Sequence, residues 1–219
     1  MDTPLVSWIV ATRNRRAFFL RTLDCFARQT YPHRELVVAD GSDEPVEDLC
    51  AGREGVRYLR VDPDTPLGTC LNRAAETSRG AFMQKIDDDD YYLPAFMQRG
   101  VDALRASDAD DTIVAWDCFL VRVGDDEALR FSGHGWAAGG TLTFTRELWE
   151  RTRFRDTREH EDHKFIEDSH ARVRTLCAPE LYVLVRHDAN HWNDLRGTDV
   201  NAYFRSLPAS GQRASEVFA

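Results

Sequence analysis

A chain of 219 residues, 42% of them hydrophobic and 30% charged, is long enough for one sizeable core. Its formal charge of -9 argues against a general nucleic-acid or membrane-surface binder, because both need a basic face to meet phosphate. Five scattered cysteines (Cys25, Cys50, Cys70, Cys118, Cys177) without a Cys-x-x-Cys pair indicate neither a disulfide scaffold nor a zinc knuckle and read as reduced, mostly buried thiols.

Short β-branched runs alternate with segments of helical period, the pattern of an α/β architecture with a largely parallel sheet. Leu5 to Val10 predicts strand one. No basic region precedes it, and the apolar stretch Leu5 to Ala11 is too short to span a bilayer, so no integral membrane segment and a cytoplasmic location are expected. Phe19, Leu20, Leu23, Phe26 and Ala27 form one stripe of a helix over 16–29. Strands follow at 35–39, 56–61 and 81–86, the last preceded by a helix over 69–78 that stops at Gly80, read as its C-cap. Phe96, Met97, Val101 and Leu104 mark another helix. Thr112 to Val123 reads as one long strand, and the bend Gly133 to Gly140 leads into a strand at 141–144. A helix over 159–172 and a strand over 181–185 lead to His187, Asn190 and His191, and the small polar segment after Leu207 is expected to fray.

Each early strand ends on polar groups: Thr12 to Asn14, then Asp40, Asp62 and the run Asp87-Asp88-Asp89-Asp90. In an open parallel sheet the carboxyl ends of the strands line the ligand crevice, so these groups are expected to converge there. Four adjacent carboxylates repel one another unless water, basic groups or a cation lie close.

In order and spacing these segments resemble the inverting glycosyltransferases of family 2. The residues that carry the resemblance are Val6 to Arg15, Gln29-Thr30-Tyr31-Pro32, Glu35 to Asp43, Gly68-Thr69-Cys70-Leu71-Asn72-Arg73 and Ile86 to Pro94. Over the second half the similarity is looser, at His160-Glu161-Asp162 and Arg186 to Asn190. Leu71 stands where the family often has Arg, and Ala74 where it often has Gly. The resemblance implies a GT-A type fold: a Rossmann-like, mostly parallel sheet flanked by helices, with a smaller acceptor-side mixed region. Residues 1–94 would form the nucleotide-sugar half and 95–207 the acceptor and catalytic-base half of one domain, with 208–219 as the tail. It also implies a UDP-sugar donor, a hydroxyl acceptor, and His187 returning to the metal.

Hard carboxylate oxygens suit Mn²⁺ or Mg²⁺, which would stabilise the charge building on a departing diphosphate. Asp87 and Asp89 are assigned to that cation, Asp90 to a spare position, and Asp88, on the donor side, is expected to be dispensable. Asp40 would accept from a pyrimidine imide, or else stabilise its own turn before Gly41. Thr12, Arg13, Asn14, Asn72 and Arg73 complete the expected donor contacts. Asp162 is the expected catalytic base, projecting with Phe165, Ile166 and Val173 toward the cleft while Glu161 points elsewhere. Gly139, Gly140, Trp136, Glu161 and His191 are candidate acceptor or phosphate contacts.

Three other readings compete. His160, His163, Glu167 and His170 share a helical face that could hold zinc, although no His-Glu-x-x-His pattern is present. A sugar-phosphate nucleotidyltransferase would want a glycine- and lysine-rich loop after strand one, where Thr12 to Arg16 stands instead. A non-catalytic, decayed transferase would keep nucleotide binding alone, and Leu71 in place of Arg favours it slightly. The sequence is silent on oligomeric state.

Overall fold

The computed structural model describes residues 3–135, 137–190, 194–195 and 197–218. A seven-stranded sheet is built on four parallel strands: β1 (Val6–Thr12), β2 (Arg34–Asp40), β3 (Val56–Arg60) and β4 (Phe82–Lys85). Beyond β4 it adds β9 (Thr143–Thr145), antiparallel, then β6 (Thr112–Cys118) and β10 (Arg172–Cys177), in the order β10-β6-β9-β4-β1-β2-β3. A second sheet, ordered β14-β8-β7-β11-β5, holds β5 (Tyr91–Tyr92), β7 (Leu120–Val123), β8 (Ala128–Phe131), β11 (Tyr182–Arg186) and β14 (Ala209–Arg213). The short β12 (Asp194–Leu195) and β13 (Thr198–Asp199) pair with each other.

The helices are α1 (Arg16–Ala27), α2 (Glu47–Cys50), α3 (Leu67–Thr77), α4 (Phe96–Arg105), α5 (Arg146–Thr152), α6 (Glu161–Ser169), α7 (Val200–Ser206) and α8 (Ala214–Val217). The central strands read as unbroken apolar runs because both of their faces are covered. Trp8, Val10, Leu36 and Val38 face one core with Phe19, Leu23, Phe26 and Phe96. Their neighbours Ile9, Val37 and Ala39 face the other core with Leu71, Ala74, Phe144 and Phe165. Leu71 is therefore a packing residue, 1% exposed. No helix among the described residues is long and apolar enough to cross a membrane.

Four expectations are corrected. The run over 112–123 breaks at Phe119 into β6 and β7, which belong to different sheets. Ser132 N–H donates to Phe119 O, Phe119 N–H donates to Ser132 Oγ, and the Phe119 ring is buried against Tyr182. Gly80 is not the cap of α3, which ends at Thr77 with Ser78 following. Instead, a Cβ at Gly80 would stand 2.4 Å from Ser7 Oγ and 2.8 Å from Leu5 O, so glycine is needed where the chain crosses β1. The helix expected over 159–172 is shorter: His160 and His170, at φ 57° and 53°, bound α6, and Val173 lies on β10. Residues 208–218 are not frayed. β14 satisfies the edge of β8, and the Phe218 ring lies 4.6 Å from that of Tyr91.

Candidate active site

The carboxyl ends of β1, β2 and β4 meet the end of β11 in one acidic cleft. The β1–α1 turn is fixed by Asn14, which takes φ 55°. Its amide donates to Asp43 and accepts from Asp43 N–H, and its own N–H donates to Ser42 Oγ at 2.8 Å. This staple aims Arg15, at the head of α1, across the cleft. Its Nη1 donates to Asp88 Oδ1 at 2.9 Å and Asp89 Oδ2 at 2.8 Å, and its Nη2 donates to Ala189 O at 2.7 Å.

The four aspartates have four different environments. Asp87 leaves the sheet beside Lys85, whose buried Nζ donates to Asp87 Oδ1 at 2.7 Å and stands 3.3 Å from Glu161 Oε1. Burial alone would lower the Lys85 ammonium, but Asp87, Glu161 and Asp162 outweigh it and hold it well above the ordinary lysine range. Asp88 turns inward and accepts from Thr12 Oγ1 at 2.6 Å as well as from Arg15. Burial and the neighbouring Asp89 charge push it up to about 6 against the pull of Arg15. Asp89 Oδ2 accepts from Arg15, from His187 Nε2 at 3.0 Å and from Asn190 Nδ2 at 3.1 Å. Burial would raise its carboxyl, but the His187 hydrogen bond and the Arg15 charge hold it below the usual range. Asp90 accepts from the Tyr182 hydroxyl and from Val185 N–H at 2.9 Å, and burial beside Asp89 and Asp87 raises it strongly.

The run is thus two cleft-facing carboxylates alternating with two structural ones. Asp88 locks the β1 turn, and Asp90 ties the first sheet to the second. The expectation that Asp88 is a dispensable donor contact is corrected: at 3% exposure both its oxygens are engaged inside the protein. Asp90 is likewise no spare ligand.

Opposite Asp87, a single-turn helix over Gly139–Thr141 carries the two glycines. A Cβ at Gly139 would lie 1.5 Å from Asp162 Oδ2, and one at Gly140 would lie 2.6 Å from Asp87 Oδ2. The turn is pinned by the Tyr92 hydroxyl, which donates to Gly140 O and accepts from Asp87 N–H, each at 2.8 Å. Asp162 stands in the first turn of α6, partly exposed. Glu161 does not point elsewhere. It is 4% exposed and paired with Lys85, and burial raises its carboxyl despite that cation.

The other predicted residues divide. His187 reaches Asp89 and stacks on Phe18, with ring centroids 4.3 Å apart. Arg13 and Arg73 are exposed; burial raises the Cys70 thiol, and both arginines lie close enough to oppose that rise in part. Asp40 is corrected as a base acceptor: it is fully buried, and its oxygens accept from Ser42 N–H, Val46 N–H and the Tyr58 hydroxyl. Asn72 is corrected as a donor contact, because its amide binds Phe154 O, Phe154 N–H and Trp149 Nε1 on the α5 side. Asp62 is exposed and caps its own turn through Asp64 N–H. His163 pairs with Glu167 in solvent at 3.1 Å, and the described residues of α6 form no zinc trio. Trp136 and His191 lie outside the described residues.

Sequence reasoning missed Lys85, Arg15 and Asn190. A lysine inside an apolar strand was the available signal, since a buried ammonium demands a paired carboxylate. So was a basic turn, Arg13 to Arg16, facing an acidic run. Asn190 lay in the late segment that carries the resemblance, but nothing local assigned it a role.

The sheet order, together with acidic strand ends gathered on one cleft, defines a GT-A type fold. The family model for Glycosyl transferase family 2 matches residues 7–174, and the chain belongs to that family. It is similar to EpsH of Bacillus subtilis strain 168, 28% identical over 108 residues that cover 45% of this chain and 30% of EpsH. It is also similar to WcaA of Escherichia coli K12, 28% identical over 98 residues, covering 42% and 35%. The aligned part therefore spans about a third of these curated relatives. Among solved structures, S. aureus TarS residues 1–349 in complex with UDP-GlcNAc matches with a TM-score of 0.67 at 16% identity, covering 85% of this chain and 60% of that one. The complex of the same TarS fragment with UDP matches with a TM-score of 0.66.

Proposed function

We propose that the protein transfers a sugar from a nucleoside-diphosphate donor, a UDP-sugar, to an acceptor hydroxyl with inversion at the anomeric carbon. One observation carries this reading. Adjacent glycines seat Asp162 against one position and Asp87 against the next, so a donor-side carboxylate and a base-side carboxylate flank one short turn. The UDP and UDP-GlcNAc complexes of TarS support the choice of nucleotide.

The carboxylates of Asp87 and Asp89 and the imidazole of His187 are of the donor type a hard divalent cation takes; His187 and Asp89 already touch, and Asp87 would have to close on them. Asp89 Oδ2 is held by three hydrogen-bond donors, from Arg15, His187 and Asn190, and a cation binding there would take their place on that oxygen. Bound there, Mn²⁺ or Mg²⁺ would supply electrostatic stabilisation of the leaving diphosphate. Arg13 and Arg73 are the side chains left exposed to meet phosphate oxygens. Asp162 takes the proton from the acceptor hydroxyl as its oxygen attacks the anomeric carbon and the bond to the nucleoside diphosphate breaks. Lys85 keeps Asp87 and Glu161 together under the site, and Glu161 positions the first turn of α6. Leu71 speaks against a decayed site: it packs the core, whatever its counterparts do elsewhere in the family.

The test is a panel of nucleotide sugars and hydroxyl acceptors scored for released nucleoside diphosphate, with and without Mn²⁺. Metal-dependent release of UDP is expected. Release of pyrophosphate, or tight UDP binding without turnover for any donor, would overturn the proposal in favour of a nucleotidyltransferase or a binding module.

A further inference from the structure

Among the described residues, one trio of metal-ligating side chains has its ligand atoms all within 4.8 Å of one another, and it lies outside the acidic cleft: Cys118, Cys177 and His134. Cys118 ends β6 and Cys177 ends β10, and the two are register partners across that parallel pair. The register shifts between Leu176 and Cys177, where the ladder terminates. His134 comes from the glycine-rich bend, and its Nδ1 stands 3.5 Å from Asp117 Oδ2. Cys177 is exposed, whereas Cys25, Cys50 and Cys70 are buried thiols elsewhere.

From this arrangement we propose a second metal site, a thiolate-imidazole clasp for Zn²⁺, made by Cys118 Sγ, Cys177 Sγ and a ring nitrogen of His134. Zinc bonds of about 2.3 Å to sulfur and 2.0–2.1 Å to nitrogen set tetrahedral ligands roughly 3.5–3.8 Å apart. The trio therefore needs only side-chain adjustments of about an ångström to close on the ion. Asp117 supplies the carboxylate that commonly orients a ligating imidazole. Water from the exposed side completes four-coordination. Two soft thiolates select Zn²⁺, whereas the all-oxygen and imidazole set of the cleft selects Mn²⁺ or Mg²⁺, so the two sites sort different ions.

The clasp has a structural consequence for the cleft. It joins the ends of β6 and β10 to the bend that leads into Gly139 and Gly140, the residues against which Asp162 and Asp87 rest. Zinc occupancy would steady the approach to that turn without touching the reacting groups.

Cadmium is the probe, because its thiolate charge-transfer absorbance reports sulfur ligation and ignores carboxylates. The reduced, metal-free full chain is titrated with Cd²⁺ in excess Mg²⁺, and Zn²⁺ is then added as competitor. The expected result is saturation at one equivalent and displacement by Zn²⁺. Cys177→Ser should lose at least half of the absorbance, and His134→Ala should weaken binding by about tenfold or more. Cys177 is exposed, so its serine variant folds, as circular dichroism will check. Absence of the band, a band indifferent to Cys177→Ser, or two thiols already lost to a disulfide in the metal-free chain would each overturn the proposal.

Discussion

The two sheets solve opposite problems. In the seven-stranded sheet, β1, β2 and β4 are covered on both faces, and their side chains alternate between two cores. The five-stranded sheet is smaller and irregular, with β5 only two residues long and a register shift where β14 meets β8. The cleft is built where the two meet. Asp90 binds Tyr182 and Val185 of β11, Tyr92 of β5 bonds Gly140, and His187, just past β11, reaches Asp89. The large sheet thus delivers the acidic groups, and the small one fixes how they point.

The largest effect is expected at the proposed base. Asp162→Asn should lower transfer by about 10²–10⁴-fold, the usual worth of a general base, while UDP affinity is unchanged by calorimetry. A parallel loss of binding would place Asp162 on the donor side instead. Next in size is the ion pair beneath the cleft. Lys85→Met leaves the partly exposed Asp87 without its cation and strands the buried Glu161, and removing one partner of the buried Lys85–Glu161 pair costs about 3–5 kcal/mol, read as a fall in the urea midpoint. A variant of near-native stability would mean that water already reaches those carboxylates.

Asp88→Ala leaves Thr12 and Arg15 without their shared acceptor, and a cost of about 1–3 kcal/mol is expected. An unchanged midpoint would restore the reading of Asp88 as dispensable. The smallest effect belongs to the far end of the large sheet. Burial would raise Glu35, but Arg79 N–H, Ser7 Oγ and the Arg79 and Arg57 charges outweigh it and hold the carboxyl below the ordinary range. A carboxyl depressed in the folded state contributes stability above its unfolded pKa and loses it as the pH falls toward the folded one. Glu35→Gln should therefore flatten the loss of stability as pH falls through and below the ordinary glutamate range, measured by denaturant midpoints against pH.

The early strands were legible because double-sided burial writes them as apolar runs closed by an acid. The acidic run itself was legible as a site, but its internal division was not. Which of four identical aspartates turns inward depends on Thr12, Arg15 and Tyr182, all distant in sequence. Motif matching misled at Asn72, where the amide serves the α5 junction, whereas at Asp40 the turn-stabilising alternative holds, because the turn takes both oxygens. The break at Phe119 was hidden because both flanking strands are buried, so hydrophobicity runs on through the corner. The tail looked too polar to order, yet one edge strand and one phenylalanine were enough to dock it.

In the proposed reaction a divalent cation at Asp89 and Asp87 would hold the donor diphosphate. UDP binding measured by calorimetry, with and without Mn²⁺, in the wild type and in Asp89→Ala tests it most directly. Mn²⁺ should tighten UDP binding to the wild type by about tenfold or more, equal to roughly 1.4 kcal/mol, and leave Asp89→Ala unaffected. UDP affinity indifferent both to Mn²⁺ and to the substitution would contradict the account.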